Sequence, residues 1–160
     1  MRILSVVGAR PNFMKLAPLD RALANHDGFE HVVVHTGQHY DRNMSDAILE
    51  DLRVPEPDFH LGVGSGTHAE QTAGVMLAYE QLAAVERPDL VLVVGDVNAT
   101  VAVALTAKKL SGEVVNVGSV GLPFDGDPRA QYAIFDWHGD GWTVDLRRIE
   151  YDLEQLFEVY

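Results

Sequence analysis

Cysteine is absent from the 160 residues, which removes disulfides, thiolate zinc sites, iron–sulfur clusters and cysteine nucleophiles together. Positive charge is scarce: 12 Lys and Arg stand against 24 Asp and Glu, a formal net charge of −12. A protein that grips nucleic acid by neutralising phosphates needs the opposite balance, so no nucleic-acid partner is expected and only a local basic site could hold a phosphate. Long apolar runs are missing as well. The opening Met1-Arg-Ile-Leu-Ser-Val-Val-Gly8 is too short for a signal h-region, and nothing later reaches the roughly 18 apolar residues of a membrane span. No membrane association and a cytoplasmic address are the expectation. The Gly-x-Gly-x-x-Gly dinucleotide fingerprint, the Gly-x-Ser-x-Gly elbow, the Walker Gly-Lys-Ser/Thr and the His-Glu-x-x-His pair are all lacking. Neither a cofactor nor a bound metal is expected.

What is present is an ordinary globular composition, 47% hydrophobic and 22% charged, at a length that predicts one domain over residues 1–160. Arg2–Val7, His31–Thr36, Leu90–Val94 and Glu113–Val117 are short runs rich in Ile, Leu and Val. Their lack of alternation suits strands buried on both faces of a parallel sheet. Helical spacing runs from Pro11 to Asn25, from Asn43 to Leu52, from Thr67 to Leu82 and from Asn98 to Leu110. Thr67 with Glu70 three residues on forms a capping box, and Ala69, Ala73, Met76, Leu77, Tyr79 and Leu82 are the expected apolar face of the helix that follows. Pro18 interrupts the first helix, where it removes one backbone hydrogen bond. From Gly118 the grammar changes: a loop dense in Gly and Pro leads to Gln131–Trp137, a His138-Gly-Asp-Gly141 turn and Trp142–Tyr151, an antiparallel hairpin. The predicted fold is α/β: a Rossmann-like three-layer sandwich whose mostly parallel sheet of about four strands is extended by the C-terminal hairpin.

Three constellations follow predicted strands, where open α/β sheets build their crevice. Gly8-Ala-Arg-Pro-Asn-Phe-Met-Lys15 places Arg10 and Lys15 around a helix amino terminus, an arrangement that suits an anion or serves as a solvated turn. His35-Thr-Gly-Gln-His-Tyr-Asp41 gathers hydrogen-bonding side chains, with His39 either meeting substrate or holding structure. Gly95-Asp-Val-Asn98 sets Asp96 and Asn98 between a strand and a helix, where Asp96 can act as an acid or base, accept from a sugar hydroxyl, or cap the helix. His60 and His68 lie near the long helix as weaker candidates.

Over residues 1–110 these motifs, with Asn43-Met-Ser-Asp, Leu61-Gly-Val-Gly-Ser-Gly-Thr-His-Ala-Glu-Gln-Thr and Pro88-Asp-Leu-Val-Leu-Val-Val-Gly-Asp-Val-Asn-Ala-Thr, resemble the amino-terminal part of the non-hydrolysing UDP-N-acetylglucosamine 2-epimerases. The resemblance implies a GT-B architecture of two Rossmann-like domains with the nucleotide sugar between them. It also implies loss of UDP to give a glycal and its return to the other face at C2, converting UDP-GlcNAc to UDP-ManNAc without metal or NAD. Arg10 and Lys15 would then serve the anionic substrate, and Asp96 would be an acid/base residue. A catalytic Glu of the family falls on Gly118, and the second domain has no counterpart.

The end of the chain reads otherwise. Val115-Asn-Val-Gly-Ser-Val-Gly-Leu-Pro-Phe-Asp-Gly-Asp-Pro-Arg-Ala-Gln-Tyr-Ala-Ile and Leu146-Arg-Arg-Ile-Glu-Tyr-Asp resemble the C-terminal end of calcineurin-like metallophosphoesterases, without that family's upstream metal-binding motifs. Charge shifts in step: residues 1–110 carry nine basic and 14 acidic groups, residues 111–160 three and ten. The expectation is a hybrid, an epimerase-like segment over 1–112 joined to a strand and hairpin tail over 113–160. Functionally this reads as a truncated or hybrid epimerase relative that binds a UDP-sugar or phosphate weakly. The alternatives are a recombined or engineered fold without catalysis and, more remotely, a phosphoesterase. An exposed sheet edge, or the face that would meet a second domain, predicts self-association.

Overall fold

The computed structural model describes residues 1–8, 10–37, 56–95, 97–110, 112–116, 127, 129–139 and 141–150, the side chains of 10, 11, 130, 131, 137 and 142 excepted. They belong to two compact units, Met1–Asn116 and Val117–Tyr160. In the first unit β1 (Arg2–Val7), α1 (Arg10–Ala24), β2 (Glu30–His35), β3 (Phe59–His60), α2 (His68–Glu86), β4 (Leu90–Val93), α3 (Asn98–Lys109) and β5 (Glu113–Asn116) follow in order. The five strands form one sheet in the order β3-β2-β1-β4-β5, every pairing parallel. Parallel neighbours need crossovers, which the helices supply. The strand missing from the sequence reading is β3, two residues long. Phe59 and His60 pair with Val34 and His35, too short a stretch to carry a period, beside prolines that signal a break.

Alternation along the strands divides the core in two. Leu4, Val6, Val32, Val34, Val91 and Val93 pack with Val75, Tyr79 and Ala83 of α2 and with Ala102, Val103 and Ala107 of α3. Val7 and Val33 turn to the other face and meet Phe13, Leu16 and Ala17 of α1. Both faces are covered, which explains the nearly continuous apolar strands. Each fully buried Leu or Val among them contributes about 1.5–3 kcal/mol.

Helix α2 begins as its sequence indicates: Thr67 Oγ1 accepts from the Glu70 amide, and the Glu70 carboxylate accepts from the Thr67 amide at 2.9 Å. Its buried face, however, is Val75, Tyr79 and Ala83, while Ala69, Ala73 and Leu77 are exposed and Met76 and Leu82 are partly buried. Apolar residues occur nearly all round this helix, so periodicity alone did not choose the face that the sheet and α3 select. Arg2 ties the amino ends of the strands together. It pairs with Glu30 at 2.6 Å and Glu86 at 2.9 Å, and its amide donates to Asp89 Oδ2 at 2.6 Å.

In the second unit β6 (Ala130–Trp137) and β7 (Trp142–Ile149) pair antiparallel, Ala130 opposite Ile149 and Trp137 opposite Trp142. The hairpin of the sequence reading is therefore present, but as a two-stranded sheet of its own rather than as added strands of the parallel sheet. Asp127 receives the Arg129 guanidinium at 2.7 Å together with that of Arg148, and these cations hold its carboxyl well below the usual carboxylate range.

Candidate functional site

The carboxyl ends of β1, β2 and β4 converge, and side chains from the intervening helices fix the turns that leave them. Asn12, 4% exposed in the first turn of α1, accepts from the Gly8 amide at 3.1 Å and donates to the Val94 carbonyl at 3.0 Å. One side chain thus ties the turn after β1 to the end of β4. Thr100 Oγ1 donates to the same carbonyl at 3.0 Å, and Asn116 donates to the Gly95 carbonyl at 2.9 Å. Gly95, at φ +79, takes the left-handed conformation that a side chain resists.

The end of β2 is equally constrained. His35 is 2% exposed and stacks on Phe13 with ring centroids 5.5 Å apart. Burial, with a smaller repulsion from His60, pushes its pKa down to about 4. The ring is neutral near pH 7, and Nδ1 accepts from the Gly37 amide at 3.0 Å, so the remaining proton sits on Nε2. Gly37 has φ +85, and a Cβ there would come within 3.2 Å of the Val63 backbone. Here glycine is needed twice, for conformation and for the close approach of the loop that precedes α2.

At the third turn the N-cap of α3 is Val97, which offers no side-chain cap. Among the described residues no cap side chain accepts from the first amides of α3. Asn98 joins the two helices that begin on this side: its amide lies 2.8 Å from His68 Nδ1 and donates to Gln71 Oε1 at 3.0 Å.

Of the residues singled out from the sequence, Arg10 opens α1 and Lys15 lies half-buried in its second turn. Asn98 opens α3. Asp96, His39, the Arg10 side chain and Gly118 lie outside the described residues. His68, a weaker candidate, is brought onto Asn98. Asn12 and Gln71 escaped the sequence reading, Asn12 because a polar residue opening a helix looks like any first-turn residue until the strand beside it is known. Among the described residues no group of three or more His, Asp or Glu side chains could hold a metal ion, and no helix is long and apolar enough to cross a membrane.

A parallel sheet with helices on both faces and its turns gathered at the carboxyl ends defines a Rossmann-like α/β class of fold. The model of the UDP-N-acetylglucosamine 2-epimerase family matches residues 21–118, and the chain belongs to that family. A UDP-N-acetylglucosamine 2-epimerase homolog of Methanococcus maripaludis is 42% identical over 125 residues, 78% of this chain and 34% of the relative. A UDP-2,3-diacetamido-2,3-dideoxy-D-glucuronate 2-epimerase of Pseudomonas aeruginosa is 39% identical over 117 residues, 73% of this chain and 33% of that protein. The crystal structure of the Methanocaldococcus jannaschii UDP-GlcNAc 2-epimerase in complex with UDP-GlcNAc and UDP superposes with a TM-score of 0.72 at 39% identity, over 78% of this chain and 34% of that one. The chain spans about a third of the length of these relatives.

Proposed function

We propose that the crevice at the carboxyl ends of β1, β2 and β4 is the nucleotide-sugar half-site of an epimerase fold and binds UDP-N-acetylglucosamine or its phosphate-bearing part weakly. In this reading Arg10 and Lys15 serve the phosphates, His39 and Asn98 contact the substrate, and Asp96 is the acid/base residue. The observation that carries it is the family match over residues 21–118, which includes the turn after β4. Support comes from the α3 amino terminus, where Val97 provides no side-chain cap and helix amides of this kind suit a phosphate. Turnover is not expected from these 160 residues, which span about a third of their relatives' length, since an open site does not keep water from a reactive intermediate. A product assay with UDP-N-acetylglucosamine at high protein concentration tests this. No isomer above a Lys15→Ala control is expected, and isomer formed by the native sequence but not by that control would overturn the limit on turnover.

A second reading concerns the tail. We propose that residues beyond the family match have a separate descent, as in a hybrid chain without catalysis. The reasons are that the two compact units divide at Asn116/Val117 and that pairing becomes antiparallel beyond that point. The phosphoesterase likeness of that tail rests on its motif residues alone. Self-association is a further proposal, favoured by the exposed Leu77, Val101 and Leu105 on α2 and α3; a monomeric mass by light scattering at high concentration would refute it.

A further inference from the structure

The amino ends of β4 and β5 frame a cleft of about 310 Å³ at the opposite end of the sheet from the crevice, with Tyr79, Ala83, Ala84, Arg87, Val91 and Leu110 in its wall. We propose that this cleft binds a small carboxylate carried on an apolar body. Its volume lies at the lower end of the range for small-molecule sites, and most of its wall is aliphatic. Two polar residues belong to its lining. Tyr79 is fully buried, and its hydroxyl has no hydrogen-bond partner among the described residues. A buried hydroxyl left unpaired is costly, and a ligand atom that accepts from it removes the penalty.

Arg87 is the second. It closes α2 in the left-handed conformation, φ 47, with its amide donating to the Ala83 carbonyl at 3.0 Å. The acidic residues beside it in sequence are engaged elsewhere: Glu86 pairs with Arg2 at 2.9 Å and Asp89 accepts from the Arg2 amide at 2.6 Å. Glu113 of β5 faces Lys108 at 3.8 Å. No carboxylate pairs with Arg87 among the described residues, so its planar fork is available to a carboxylate from outside. The carbonyl ends of α2 and α3 oppose a bare anion here. The apolar body must therefore supply much of the affinity, which favours an aromatic or branched aliphatic acid over a free phosphate.

The test is a ¹H–¹⁵N titration of the full chain with benzoate, using benzamide as the neutral isostere. Saturable shifts are expected at the amides of Ala84, Arg87, Leu110 and Gly112, with a dissociation constant in the millimolar range for so small a ligand. Arg87→Gln, at an exposed position, should weaken benzoate about fivefold, and benzamide should bind the native chain weaker by about the same factor. Ala84→Trp, which fills the cleft from its exposed rim, should abolish the shifts. Tyr79→Phe should weaken binding about threefold while raising Tm, since it deletes an unpaired polar group. Shifts that fail to saturate, that fall instead at the turn around Lys15, or that survive Arg87→Gln and Ala84→Trp undiminished would overturn the proposal. Equal binding of benzamide would overturn its anionic part.

Discussion

His35 shows how a residue can be visible in a sequence while its surroundings are not. Its motif leaves open whether the polar groups meet a ligand or hold structure; the His35 ring is buried, stacked on Phe13 and neutral. Burial arises from β2 being an interior strand, which only the pairing order reveals. The depressed pKa has a thermodynamic consequence. The unfolded chain takes up a proton near 6.5 and the folded chain only near 4, so stability is fully present above pH 6.5, declines as pH falls toward 4, and levels off below. The total is on the order of 3 kcal/mol. Histidine-selective ¹H–¹⁵N spectra should show His35 as the Nε2–H tautomer, untitrated above pH 5; a midpoint near 6.5 would contradict this. Asn12 is the converse case, a residue that attracts no notice in sequence but links two strand ends. Asn12→Ala leaves the Gly8 amide unpaired in the interior and the Val94 carbonyl with Thr100 as its remaining side-chain donor, and should cost about 1–3 kcal/mol, read as a lower urea midpoint with an unchanged m-value.

Elements were legible where local chemistry decides them. The strand β1 was read as Arg2–Val7 and is found there, because a short run of Ile, Leu and Val ending in Gly leaves few alternatives. The start of α2 was equally clear from Thr67 and Glu70, and Thr67→Ala should lower stability by about 1 kcal/mol in thermal unfolding; an unchanged Tm would mean that the cap contributes nothing net. The face of α2 was not legible. Leu77 and Tyr79 are both apolar, and it is the neighbouring sheet and α3 that bury Tyr79 and leave Leu77 outside. The hairpin was found at its turn, His138–Gly141, where the His138 amide donates to the Gly141 carbonyl at 3.0 Å. That it makes a separate sheet was not readable, since two alternating strands look alike whether they extend a sheet or stand alone.

At the scale of the whole molecule, every apolar side chain buried among the described residues lies between Ile3 and Ala107. The core thus belongs to the first unit, and residues 1–116 expressed alone should unfold cooperatively with native-like circular dichroism. Loss of cooperative unfolding would show that the tail completes the core. The family was legible over the same span because its motifs sit on the strand ends that build the crevice. What could not be read was how the turns are held, since Asn12 and Asn116 reach carbonyls that follow a neighbouring strand. The central claim is that this end of the sheet binds a nucleotide sugar. It is tested most directly by an amide-resolved titration of the full chain with UDP-N-acetylglucosamine. Saturable, salt-sensitive shifts are expected at Gly8, Thr36, Gly37, Val97 and Asn98, with binding weaker than micromolar and weakened further in Lys15→Ala. The absence of saturable shifts, or shifts confined to the other end of the sheet, would contradict it.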